Sequence, residues 1–200
     1  MGRGSLMSST LSEIKFEFNL KTKTRFGIGE ALSLGQYLKE LSIKRVGIVI
    51  DSAILDLDYS RQILDSIRNQ DFLYVNVWEY DLKAEPDYES LDRIKMLFLN
   101  SSGEPAVDCF VGIGGGSVID FAKGLATVTV NPGPAIRYRG FPKGIKPSLP
   151  TIALPTTAGT GSEVTYNAVF IEWNEKVKYG INTMNNFPAL AILEDRKSVV

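Results

Sequence analysis

Histidine is wholly missing from these 200 residues. Without an imidazole the chain has no proton shuttle of that type near neutral pH and no ring nitrogen to offer a metal ion. Cysteine occurs once, as Cys109. No internal disulfide can form, which points to the cytoplasm. Neither sign of charge prevails, because 22 Lys and Arg against 23 Asp and Glu leave a net −1. No overall field draws the chain to nucleic acid or to an anionic membrane, so neither partner is expected. No apolar run reaches the roughly 20 residues of a membrane span. The opening Met1-Gly2-Arg3-Gly4-Ser5-Leu6 is too polar for a secretory signal. What is present is ordinary for a globular protein: 44% hydrophobic and 22% charged residues, on a chain long enough to bury a core.

Glycine and proline punctuate the sequence in the rhythm of alternating strands and helices. Residues 1–14 read as a disordered segment. Residues 15–19 alternate as a strand does, with Phe16 and Phe18 on one side and Glu17 on the other. A second short strand follows at 24–27, and Ala31, Leu34, Leu38 and Leu41 recur at helical spacing. Residues 45–50, R-V-G-I-V-I, form a β-branched run of the kind buried on both faces of a parallel sheet. The alternation then repeats. Ile63, Leu64 and Ile67 mark a helix, 73–80 a strand, and Leu91, Ile94, Leu97 and Phe98 a second helical face. Residues 107–113 form another strand, followed by Gly114-Gly115-Gly116-Ser117 and a helix carrying Val118, Phe121, Ala122 and Leu125. Residues 131–150 read as a long connection. Strands are expected at 151–154, 168–173 and 189–193. This order predicts an α/β fold, a Rossmann-like parallel sheet with helices on both faces. The chain ends on a strand with no helix after it, which is unusual for that architecture.

Three stretches offer chemistry. Gly114 to Ser117 joins a strand to a helix, where glycines let the backbone approach a ligand and the helix start offers N–H donors and partial positive charge. Phosphate is the natural guest there. A plain tight turn is the alternative, although three consecutive glycines cost more backbone entropy than a turn requires. The spacing is neither G-x-G-x-x-G nor the P-loop pattern, and Lys123 lies too far along the helix to serve as a P-loop lysine. Asp51, closing the strand at 45–50, is placed to accept hydrogen bonds from a ribose diol and to repel a 2′-phosphate. Capping the next helix explains it equally well. It precedes the glycines by about 60 residues, whereas the acid of the common dinucleotide fingerprint follows them by about 20. Residues 156–163 concentrate hydroxyls and glycines after a strand, as a phosphate- or nicotinamide-wrapping loop does, or as an ordinary connection does. Asp120 and Lys123, three apart on a helix, read as a surface ion pair. Lys178 on its own reads as a solvated charge and Cys109 as inert packing.

At 114–123 (G-G-G-S-V-I-D-F-A-K) and 155–165 (P-T-T-A-G-T-G-S-E-V-T) the sequence resembles the iron-containing, or group III, alcohol dehydrogenase family, with the likeness running over 16–193. The resemblance implies that 15–193 form an α/β domain like the N-terminal domain of dehydroquinate synthase, binding NAD more readily than NADP. In the family an all-helical C-terminal domain follows and holds the catalytic iron or zinc; it is missing here. Asp51 would contact the adenosine ribose, and Gly115, Gly116 and Ser117 the pyrophosphate. Thr156, Thr157, Thr165 and Asn167 would contact the cofactor, Lys178 would lie near the nicotinamide ribose, and Asp120 would line the cleft. Many members carry Asn-Pro where this chain has Glu85-Pro86. The family's metal site, one aspartate and three histidines, belongs to the missing domain, so this chain is expected to bind neither Fe2+ nor Zn2+, and no catalytic residue is assigned in it.

Members continue from the strand matching 189–193 with Asp-Pro. Here Glu194-Asp195-Arg196-Lys197-Ser198-Val199-Val200 follows. The segment has no amphipathic logic and coincides with a translated sequencing adapter, so 194–200 is expected to be a non-native tail. The implied function is the N-terminal part of a metal-dependent oxidoreductase that transfers a hydride between NAD(P) and a small alcohol or aldehyde. The whole protein would be a homo-oligomer, and this chain alone inactive. A dehydroquinate synthase-like or glycerol dehydrogenase-like fragment is an alternative, ranked lower because 155–165 is closer to the iron-type pattern. A freestanding nucleotide-binding module is another.

Overall fold

A computed structural model of the chain describes residues 20–72, 74–81 and 85–194. The expected strand at 15–19, the segment 1–14 and the tail beyond 194 lie outside them. Short β-branched runs separated by amphipathic helices fold as βαβ units do. Among the described residues the strands are β1 (Lys23–Gly27), β2 (Arg45–Asp51), β3 (Tyr74–Tyr80), β4 (Cys109–Gly114), β5 (Thr151–Pro155), β6 (Val169–Glu172), β7 (Val177–Gly180) and β8 (Leu190–Glu194). Six of them form one sheet in the order β1-β8-β5-β4-β2-β3, and every neighbouring pair is parallel.

Helices cover both faces, which is why β2 carries apolar residues at successive positions. Val46, Ile48 and Ile50 point into one core with Leu34 and Leu38 of α1 (Leu34–Glu40) and Ile63, Leu64 and Ile67 of α3 (Asp58–Arg68). Val49 and Phe110 point into the other. There they meet Leu91 and Ile94 of α4 (Tyr88–Lys95), and Val118, Phe121, Ala122 and Leu125 of α5 (Gly116–Val128). Between α1 and α3, the short α2 (Ser52–Leu55) follows β2 directly. On the second face Trp78 stacks on Phe121 with ring centroids 4.8 Å apart.

Three boundaries differ from the sequence expectation. The strand expected at 168–173 does not join the parallel sheet; β6 pairs antiparallel with β7 as a separate hairpin. Leu97, expected on a buried helical face, is 50% exposed. The reason is that α4 stops at Lys95 and a tighter 3-10 turn, Met96–Phe98, brings Phe98 inward and leaves Leu97 facing out. Glu194, expected in the tail, is the last residue of β8 and pairs with Gly27. Its carboxylate accepts the Gly29 N–H at 2.7 Å, the Ala31 N–H at 3.3 Å and the Tyr59 hydroxyl.

Candidate functional site

Parallel pairing brings the carboxyl ends of β2, β4 and β5 into one row. Ile50 is in register with Ile113, and Gly114 with Pro155, so Asp51, Gly114 and Pro155 end their strands side by side. Between β2 and β4 the strand order reverses, since β3 lies on one side of β2 and β4 on the other. Ligands of open α/β sheets bind outside the carboxyl ends at such a switch point.

The three glycines at this edge have three different reasons to be glycine. Gly114 has φ +155, and a Cβ there would stand 2.7 Å from Val118 Cγ2 and 3.1 Å from Asp51 Cβ. The fold itself requires it. At Gly116 a Cβ would stand 2.8 Å from Thr160 Cγ2, so the absence of a side chain lets the 156–163 loop seat on the helix start. Gly115 has φ −71 and ψ −179, backbone that any residue adopts. A Cβ there would have its nearest neighbour, Thr157 Oγ1, at an ordinary 3.5 Å. Nothing in the fold demands a glycine at 115. It opens a cradle beside the Thr157 hydroxyl, at the N-terminus of a 13-residue helix that no side chain caps. A Thr156 N–H to Gly114 carbonyl bond of 3.0 Å ties the two loops together. Thr156 is half-buried; Thr157 and Thr160 are exposed.

Asp51 lies beside this cradle and is 5% exposed. Its Oδ1 accepts the Ala53 N–H at 2.9 Å, capping α2. Its Oδ2 has no partner among the described residues.

The first turns of α5 also form one wall of a second, adjoining feature. Ser117 and Asp120 line a surface cavity of about 80 Å³ with Glu85, Pro86, Val169, Phe170, Ile171 and Lys178. Lys178, on β7, places its ammonium 2.5 Å from Glu85 Oε2, with both side chains more than half exposed. Asp51, Gly115, Gly116, Thr156 and Thr157 thus share one end of the sheet, while Ser117, Asp120 and Lys178 share the cavity. Thr165 and Asn167 belong to the segment leading into β6, and the Asn167 side chain is exposed.

The pair Asp120 and Lys123 is not on the surface. Lys123 is 0% exposed and Asp120 nearly buried. The ammonium lies 3.1 Å from Asp120 Oδ1 and donates to the carbonyls of Ser162 at 2.9 Å, Thr165 at 3.2 Å and Asn167. Burial pushes the Lys123 pKa below its ordinary value, opposed by the charge and hydrogen bond of Asp120 and the charge of Glu163. Asp120 Oδ2 accepts the Val169 N–H at 3.1 Å. Local sequence reads this i,i+3 pair as solvated because its acceptors come from a distant loop. The signal that identifies it is the rest of α5, V-I-D-F-A-K-G-L-A-T-V, apolar all round as only a buried helix is.

No three His, Cys, Asp or Glu side chains converge as a metal site needs among the described residues. The acids at the cavity, Glu85 and Asp120, already face Lys178 and Lys123. The described residues therefore offer no donor set that fits iron or zinc.

A parallel sheet with helices on both faces, a glycine turn at its switch point and a long helix behind it is an α/β, Rossmann-like domain. The chain belongs to the iron-containing alcohol dehydrogenase family, which it matches over residues 21–195. It is 33% identical over 174 residues to the NAD-dependent methanol dehydrogenase of Bacillus methanolicus, covering 84% of this chain and 42% of that protein. It is 32% identical over 178 residues to the mitochondrial hydroxyacid-oxoacid transhydrogenase of Caenorhabditis elegans, covering 85% of this chain and 37% of that protein. Among solved structures, sulfoacetaldehyde reductase from Bifidobacterium kashiwanohense in complex with NAD+ superposes with a TM-score of 0.78 at 26% identity, over 92% of this chain and 47% of the other. The chain spans about two fifths of the length of the curated relatives it matches. No helix among the described residues is long and apolar enough to cross a membrane.

Proposed function

We propose that this chain is the cofactor-binding part of an oxidoreductase that moves a hydride between NAD(H) and a small alcohol or aldehyde. The observation that carries the reading is Gly115, a glycine in unstrained backbone with open space where its side chain would be. The fold has no use for that space, and a diphosphate does. Its oxygens would accept N–H groups at the start of α5, and the helix dipole and the Thr157 hydroxyl would add to the hold. Asp51 Oδ2 would accept from the adenosine ribose while Oδ1 keeps α2 capped; a 2′-phosphate in that place would be repelled, which favours NAD over NADP. Gly116 serves by seating Thr160, and Thr156 by tying that loop to Gly114. Ser117, Asp120 and Lys178 around the adjoining cavity would face the nicotinamide-side ribose, with Thr165 and Asn167 in the wall beyond. Bound NAD would accept or return the hydride; this chain's residues bind and orient it.

The NAD-dependent relative and the NAD+ complex of a structural neighbour support the choice of cofactor. The catalytic iron or zinc, the far wall of the substrate pocket and assembly as a homo-oligomer would come from the longer protein. A cytoplasmic location rests on the lone buried Cys109. The balanced charge gives nucleic acid and membranes no hold. Titration of the 200-residue chain with NADH, followed by fluorescence, tests the reading. Saturable binding displaced by ADP, with NADPH weaker, is expected; a folded chain with no saturable signal refutes it. Reduction of NAD with ethanol by the chain plus iron or zinc would show instead that the chain is active alone.

A further inference from the structure

The glycine cradle and the cavity are linked through one buried side chain. Lys123 sits two turns into α5, with Asp120 as the only other charged residue of that helix. A buried ammonium persists only where acceptors replace its lost water. Lys123 finds a carboxylate and three backbone carbonyls, and all three carbonyls belong to 162–167. Asp120 adds a fourth anchor by accepting the N–H of Val169. Apart from a 3-10 turn at Ser162–Val164, the backbone between β5 and β6 has no helix or strand to hold it. It enters through Gly159 at φ +120 and Gly161 at φ +66, positions that favour glycine and leave the entry pliable. Its course is therefore set from α5, the same helix whose N-terminus forms the cradle.

We propose that Lys123 is a positioning residue for the nicotinamide half of the cofactor: it holds 162–167 at a fixed place relative to the start of α5, so that the dinucleotide meets a preformed wall beyond its diphosphate. The proposal rests on the NAD reading above. The adenosine and diphosphate half depends on Asp51, the glycines and Thr157, none of which is a hydrogen-bond or ion-pair partner of the Lys123 ammonium. A purely structural role would lower stability and alter both halves of the ligand alike, whereas positioning predicts a split between ligands.

Lys123→Met keeps the length of the side chain and removes its donors. In the 200-residue chain, calorimetry with ADP and fluorescence titration with NADH give the two affinities. Lys123→Met is expected to bind ADP within about twofold of wild type and NADH about tenfold more weakly, with loss of the enhanced emission of bound NADH. Equal weakening of both ligands, or no change in either, overturns the proposal. Should Lys123→Met fail to fold by circular dichroism, Lys123→Gln, which retains two N–H donors, is measured in its place. A split of about threefold in the same direction is then expected, and equal changes overturn the proposal. Wild-type chain that binds ADP as tightly as NADH also overturns it, while leaving the diphosphate cradle intact. Wild-type chain that binds neither ligand brings down the NAD reading itself, and the positioning role with it.

Discussion

Gly115→Ala separates what the fold needs from what a ligand needs. The backbone at 115 already has an ordinary conformation, and the new methyl would meet Thr157 Oγ1 at 3.5 Å. Two small effects on stability oppose each other. Replacing glycine restricts the unfolded chain and stabilises by about 0.4–1 kcal/mol. Alanine is also the poorer N-cap for α5, by about 1 kcal/mol. The net change is within about 1 kcal/mol, a shift of no more than about 2–4 °C in Tm for a domain of this size. Binding is affected much more. The methyl occupies the approach to the N–H groups at the helix start, and losing one hydrogen bond to a charged oxygen costs about 1.5–3 kcal/mol. NADH affinity should fall by about ten- to a hundredfold. Gly114→Ala is the contrast: φ +155 and a 2.7 Å approach to Val118 predict a clear loss of stability there. Fluorescence titration with NADH beside thermal melting gives both readings. If Gly115→Ala melts as wild type does and binds NADH within twofold of it, the cradle argument is wrong.

Glu85→Asn breaks the 2.5 Å contact with Lys178. An exposed pair contributes about 0.2–1 kcal/mol, so freeing Lys178 should tighten NADH binding by up to about fivefold at low salt, read by the same titration. Gly124→Ala would place a methyl 2.4 Å from Phe170 Cζ and 3.0 Å from Leu91 Cδ2. Overpacking where α5 meets β6 and α4 should cost about 1–3 kcal/mol, visible as a lower denaturant midpoint. Cys109 is fully buried, and burial first, then the neighbouring Asp108 charge, pushes its thiol well above its ordinary 9.0. Below that pH the thiol is protonated in folded and unfolded chain alike and contributes no pH dependence. Above it only the unfolded chain ionises, so stability falls as pH rises. The fall should be shallower in Cys109→Ala, and the native thiol should resist thiol reagents at neutral pH.

The parallel sheet was legible because a strand covered on both faces must be apolar at every position, and R-V-G-I-V-I and V-D-C-F-V-G-I carry that pattern in any context. The glycine turn was legible for the same local reason. What escaped depends on partners distant in sequence. β7 is four residues, V-K-Y-G, beside Glu175 and Lys176, with no apolar run to mark it; it exists because β6 offers it an edge. The burial of Lys123 is set by carbonyls some forty positions further on. Asp51 is the intermediate case: its position at the strand end was plain, and the structure shows that it caps α2, which still leaves one oxygen to serve a ligand.

The order of the sheet has a consequence for how the chain is made. Strands β2 to β5 find neighbours soon after leaving the ribosome, each within a βαβ unit. Among the described strands β1 emerges before all of them and pairs with β8, which emerges after the rest. β8 then inserts between β5 and β1, and Glu194 clasps the turn that follows β1. Securing β1 thus waits on a strand some 165 positions further on, a long-range closure of the slow kind. A nascent chain arrested before residue 190 would leave β1 without its partner and the outer edge of β5 open, inviting the wrong partner.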